Sequence, residues 1–165
     1  MPIVDSFLTE LEREAATTKR VLERVPGDKL DWRPNAKSMS LGQLSLHVAQ
    51  IPGLVARLIE SDSAEPPQFV QQPAQSVNEL LSAFESSITQ AKTTLNQWDD
   101  AAVMAEWKLI KGDKVLMTTP RLGMIRAILL NHWYHHRGQL TVYLRLLDVP
   151  LPSVYGPSAD ENPFA

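Results

Sequence analysis

Apolar residues recur every three or four positions along four separate segments, a period that packed α-helices satisfy and β-strands do not. Between Val4 and Val25, Phe7, Leu8, Leu11, Val21 and Leu22 fall on one face, and Pro26-Gly27 stops the run. The second segment opens on Ser40-x-x-Gln43, a capping box in which each side chain satisfies a backbone N–H at the helix start. Leu44, His47, Val48, Ile51, Val55 and Leu58 then share a face. Pro52 interrupts this pattern and clashes with the carbonyl of Val48, which predicts a kink. A second capping box, Ser76-x-x-Glu79, precedes a third stripe through Leu80, Phe84, Ile88, Leu95 and Trp98.

The fourth segment starts at Thr119-Pro120, read as an N-cap followed by a first-turn proline. It meets no breaker before Asp148-Val149-Pro150 and so extends to about Leu147. Between Met104 and Met117 the period changes, and Lys111-Gly112-Asp113 separates two runs suited to a small hairpin. Ser61 to Gln75 is polar, holds three prolines and reads as a loop. These features predict an all-α fold, a four-helix bundle of variant up-and-down topology with no sheet larger than a short hairpin before the last helix. Residues 1–165 form one domain in this reading, with 148–165 an irregular C-terminal tail.

Composition narrows the function classes. The formal charge of −3 supplies no cationic field for phosphate backbones, so no nucleic acid is expected as partner. Cysteine is absent, which excludes disulfides, thiolate metal sites and cysteine nucleophiles. No apolar stretch reaches the roughly 20 residues of a membrane span, and the N-terminus lacks a signal-peptide pattern. A cytoplasmic protein that does not engage a membrane is the expectation.

All four histidines lie in two predicted helices. Stepping by three or four from Leu129 lands on His132, His136, Leu140 and Tyr143, so the two histidines stand where core leucines otherwise would. His47 sits likewise between Leu44 and Ile51, whereas His135 belongs to a neighbouring face. Each buried polar group left unsatisfied costs about 1–3 kcal/mol, and a divalent cation removes that penalty by taking one nitrogen from each ring. Imidazoles satisfied by hydrogen bonds inside a core would produce the same pattern, so the spacing leaves both readings open. Trp133 stands where a zincin glutamate would, which excludes the H-E-x-x-H protease mechanism.

Trp32-Arg33-Pro34, Gly42-Gln43-Leu44 leading to His47, and the run Asn131-His132-Trp133-Tyr134-His135-His136-Arg137-Gly138-Gln139-Leu140 together resemble the DinB-like (DinB/YfiT) metalloenzymes over nearly the whole chain. The resemblance implies that His47, His132 and His136 hold one divalent metal ion, zinc or nickel, and that His135 is the family's extra histidine that does not ligate. It also implies a four-helix bundle, often a homodimer. Relatives include transferases and isomerases that use a low-molecular-weight thiol: bacillithiol, mycothiol or glutathione. The family's name carries no implication of DNA binding.

Other residues admit two readings each. Arg33 reaches an anionic substrate, or belongs to a structural turn in which Trp32 anchors the loop and the guanidinium caps a carbonyl. Asn131, Gln139 and Gln43 orient imidazoles or are ordinary exposed helix polars. Tyr134 and Tyr143 donate a proton near the metal or pack in the core. Asp160-Glu161 folds over the site or is simply solvated.

Two function classes remain. One is a metal-dependent enzyme acting on a small-molecule substrate, a thiol-dependent transferase or isomerase or a hydrolase. The other is a binding or stress-response module that the metal merely stabilises. No general base stands out beside the histidines, and the catalytic residues are unassigned.

Overall fold

The computed structural model describes residues 2–68 and 72–165. The chain is mostly helical with a small three-stranded sheet at one side. Helix α1 (Ile3–Leu22) is followed by a 3₁₀ turn (Gly27–Lys29) and by α2 (Leu41–Leu58). Strand β1 (Ser63–Ala64), α3 (Val77–Leu95), the short α4 (Asp100–Met104), β2 (Glu106–Lys111) and β3 (Lys114–Pro120) come next. Then α5 (Arg121–Met124), a π-helical stretch (Ile125–Asn131) and α6 (His132–Leu146) follow one another without a break. Among the described residues no helix is long and apolar enough to cross a membrane.

Local chemistry explains most of these boundaries. At the start of α2 both halves of the capping box form: Gln43 N–H donates to Ser40 Oγ, and Ser40 N–H donates to Gln43 Oε1. At α3 only half forms. Ser76 caps Glu79, but the Glu79 carboxylate accepts from Gln75 N–H, one residue before the cap. The last helix ends in a Schellman arrangement, with Val149 N–H donating to the Leu144 carbonyl and Asp148 at φ 57°.

α2 is the centre of the fold. It packs against α3 and the last helix, and residues all round it are buried, including Ser45, Ala49, Pro52 and Gly53 beyond the predicted stripe. The helix runs on through Pro52. The Val48 carbonyl, which the proline deprives of its helical donor, accepts instead from Trp133 Nε1 at 2.9 Å. Next door, Gly53 N–H donates to Ser87 Oγ, whose hydroxyl in turn donates to the Gln50 carbonyl. A Cβ on Gly53 would lie 2.8 Å from the Ser87 Cα, so glycine is what lets α3 approach this closely.

Two expectations are corrected here. The sheet exceeds a hairpin: β2 and β3 pair antiparallel across Gly112-Asp113, and β1 adds a third, parallel strand through Ser63↔Lys108 and Ala64↔Leu109. A two-residue strand has no room for the alternation that marks longer ones, so it is defined by its partner. Thr119-Pro120 closes β3 rather than starting the helix. The helix begins at Arg121 without a side-chain cap, and Arg121 N–H donates to the Ala105 carbonyl.

Arg121, 6% exposed, ties these parts together. Its Nε donates to the Ile59 carbonyl at 2.8 Å, where α2 ends, and its guanidinium pairs with Asp62 just before β1.

Replacing Trp133 by Phe leaves the Val48 carbonyl buried without a donor and should cost about 1–3 kcal/mol in urea unfolding. In a Pro52→Ala background the carbonyl regains a helical N–H, so the same replacement should cost measurably less. Equal costs in the two backgrounds would show that the indole N–H does not compensate the proline.

Candidate metal centre

The side chains of His47, His132 and His136 come together from α2 and α6. One ring nitrogen from each can be chosen so that all three lie within 4.8 Å of one another. His47 Nε2 and His132 Nε2 are 3.4 Å apart. Two ligand nitrogens about 2.1 Å from a tetrahedral cation stand about 3.4 Å from each other, so this spacing fits a shared ion. The ring centroids are separated by 4.4 Å for His132 and His136, 4.5 Å for His47 and His136, and 5.5 Å for His47 and His132.

The backbone beneath His132 is unusual. Its N–H donates to the Ala127 carbonyl, five residues back, as the last bond of the π-helical stretch. His136 is oriented one turn on, where its Nδ1 donates to Gln139 Oε1 at 2.7 Å. Because that oxygen can only accept, the proton resides on Nδ1 and Nε2 presents its lone pair. Of the three residues considered as imidazole orienters, Gln139 makes this contact. Asn131 is exposed, and the Gln43 side-chain oxygen accepts from Ser40 N–H at the helix cap.

The electrostatics favour neutral rings, the form that ligates. Burial holds His47 down to about 4, and the nearby His136 and His132 add to the effect. His132 is lowered by burial and then by His135. Burial also lowers His136, against the opposing influence of its Gln139 hydrogen bond. His135 is exposed and falls outside the cluster, its ring 5.0 Å from that of His136.

The remaining sequence candidates sort clearly. Trp32 anchors its loop edge-on against Tyr143, with ring centroids 5.7 Å apart, as the structural reading of the turn requires. Arg33 is exposed and makes no hydrogen bond or ion pair with the described residues, so the expected carbonyl cap is not made. The Tyr134 hydroxyl donates to Glu10 and that of Tyr143 to the Met39 carbonyl, so neither is directed to an imidazole. Asp160 pairs with Arg145 and Glu161 with Arg20, which fastens the tail to α6 and α1.

No apolar pattern marks Arg137 as a buried position, yet it is 2% exposed. It pairs with Glu14 at 2.7 Å and donates to Thr18 Oγ1 and to the Tyr155 hydroxyl, with its charge over the Tyr134 and Tyr155 rings. The guanidinium thus joins α6, α1 and the tail directly behind His136. Its partners lie far away in sequence, which hides the arrangement from any local pattern.

On the other side of the histidines lies a cavity of about 520 Å³. His47 and His132 form part of its wall, and the sheet supplies Trp107, Leu109 and Met117.

The family model described as the DinB family matches residues 1–162. The chain belongs to the DinB family. YrdA, an uncharacterised protein of Bacillus subtilis strain 168, is 26% identical over 160 residues, covering 96% of this chain and 91% of YrdA. Two solved structures share the fold at 21% identity. A DinB-like protein from Bacillus cereus ATCC 10987 superposes with a TM-score of 0.75, covering 92% of this chain and 97% of its own. YjoA, a DinB-like protein from Bacillus subtilis, gives 0.72, covering 90% and 97%.

The lowered imidazoles set the pH response of the metal-free protein. Unfolded histidines protonate near 6.5 while the folded cluster resists, with His47 holding to about 4. The unfolded state therefore binds more protons in that window, and stability is complete above it and lost as pH falls through it. Thermal unfolding should show the melting temperature declining from about pH 6.5 toward 4, with a shallower decline in His47→Gln. A flat profile for the unsubstituted protein would contradict the burial argument.

Proposed function

We propose that this DinB-family member is a metal-dependent enzyme in which His47, His132 and His136 hold one divalent cation, zinc or nickel. The convergence of three imidazole nitrogens from two helices is the observation that carries this reading. In it, α1, α2, α3 and the helix over 121–146 serve as a four-helix bundle of variant up-and-down topology around the site. Three neutral ligands leave the cation its double charge and open positions, which supplies the Lewis acidity to activate a thiol or a water near neutral pH. The protein's own residues keep the rings neutral by burial, fix the His136 tautomer through Gln139 and border the site with an apolar cavity.

The reaction class proposed is transfer or isomerisation using a low-molecular-weight thiol, or hydrolysis. The chain has no cysteine, so any sulfur nucleophile comes from outside. The alternative of a metal-stabilised binding module is favoured by one observation: the hydroxyls of Tyr134 and Tyr143 are engaged elsewhere, so neither tyrosine is placed to pass a proton at the rings.

Protein purified without a nickel column should carry one zinc or nickel per chain by elemental analysis. His47→Ala should lose the metal and His135→Ala should keep it; full occupancy in His47→Ala would show the ligand set to be wrong. A thiol-cofactor screen should find turnover in loaded protein, and where water is the nucleophile the rate should rise through neutral pH, because such a centre would lower the pKa of bound water to about 7. A silent screen accompanied by a metal-dependent rise in melting temperature would favour the binding module.

We also propose a homodimer through the outer face of α6, where Val142 and Leu146, one turn apart, are 57% and 58% exposed. Light scattering at micromolar concentration should give twice the chain mass, reduced to a monomer by Leu146→Asp. A monomeric unsubstituted protein would end this proposal.

A further inference from the structure

The cavity beside the histidines has a chemistry of its own. Its wall is almost wholly apolar: Ile51 and Val55 from α2, Leu109 and Met117 from the sheet, Met124 and Ile128 from the helix before His132. At about 520 Å³ it falls within the roughly 300–1,000 Å³ of pockets that enclose small organic ligands. The two histidines are among its few polar side chains, and the one charged residue among its described lining, Arg57, is exposed and directs its guanidinium to Gln90. Two large apolar lining residues are left open to water, Leu54 at 46% and Met117 at 40%. Trp107, another part of the wall, is fully buried, and its indole N–H meets no acceptor among the described residues.

We propose that this cavity receives the apolar body of the substrate, an alkyl chain, while a single polar head reaches the cation at His47 and His132. The inference rests on the metal reading for the head alone; the cavity stands without it. A tripeptide or sugar thiol does not fit the same space. Its carboxylates, amines and hydroxyls would give up water against leucine, valine and methionine side chains that return no hydrogen bonds. An alkyl chain loses nothing there and covers Leu54 and Met117. The flexible thioethers of Met117 and Met124 let the wall follow chains of different length. In a thiol-dependent reaction the external thiol thus approaches the cation from solvent, and the apolar partner from the cavity.

The test is calorimetric titration of zinc-loaded and metal-free protein with n-alkyl hydroxamic acids from butyl to decyl. Affinity should rise roughly fourfold per methylene in both forms until the cavity is full, the expected gain for burying one CH₂. The head group should add a constant factor in the loaded form only. Leu54→Trp, which obstructs the mouth from a half-exposed position, should weaken decyl binding at least about tenfold and spare butyl. Met117→Trp, on the facing strand, should do the same, so that one misfolded variant does not decide the matter. Affinity independent of chain length in both forms would overturn the cavity proposal while leaving the metal site standing. Length dependence that both tryptophan variants retain would also overturn it, because the chain would then be binding elsewhere. Length dependence without any difference between loaded and metal-free protein would support the cavity and overturn the cation reading.

Discussion

One hydrogen bond holds the geometry of the site: Trp133 Nε1 to the Val48 carbonyl. Val48 follows His47 in the chain and Trp133 follows His132, so the bond fastens the neighbour of one candidate ligand to the neighbour of another. It exists because Pro52 removes the donor that would otherwise occupy that carbonyl. On the far side of α2, the same interruption coincides with the Ser87 hydroxyl bridging Gly53 and Gln50. A local defect in one helix thereby becomes two polar attachments, one to the helix carrying His132 and His136 and one to α3. Apolar packing alone tolerates sliding by fractions of an ångström, and a metal site does not.

α6 is fixed from behind as well. Arg137, between His136 and Gly138, is buried in a network with Glu14, Thr18 and Tyr155. A buried ion pair is weak evidence for net stability, because desolvation offsets much of the attraction. Its value here is positional: five fixed donors in a plane admit few rotations of α6 about its axis. The helix presents imidazoles to one side and a guanidinium to the other, and the two sets constrain each other.

The three histidines stand out in the sequence because they occupy core positions in an apolar stripe; the spacing leaves a metal and a satisfied core both open, and the family resemblance is what names them as ligands. Gln139 was one of three polar residues that the sequence offered as imidazole orienters without choosing among them, and the structure gives it the bond to His136. The capping box at Ser40 was local, and it formed as its residues specify. What stayed hidden depends on distant partners. Ser63–Ala64 is a strand only because β2 lies beside it. Thr119-Pro120 reads as a helix start because a cap and a strand end share the same residue types, and tertiary pairing with Glu106 and Trp107 decides between them. Arg121 and Arg137 look like ordinary helix polars until their partners, about 60 and 120 residues away, are in place. The cavity belongs to no single element, and no local signal could announce it.

The π-helical stretch from Ile125 to Asn131 contains no proline or glycine and nothing else that sets it apart in composition. Its consequence is one of phase. A π-turn holds one more residue than an α-turn, so the stretch advances the chain without the rotation an α-helix would give. Each α-helical residue turns the chain by about 100°. The same seven residues wound as an α-helix would swing His132 and His136 round by about that angle relative to Ile125, away from His47, with every ligand still present. The angular setting of the centre therefore depends on how the backbone upstream of it is wound, not on the ligands alone. Loss of one residue within the stretch, taken up by its return to α-helix, would leave the rings facing His47, so the π-turn is where the chain carries a spare residue without disturbing the centre.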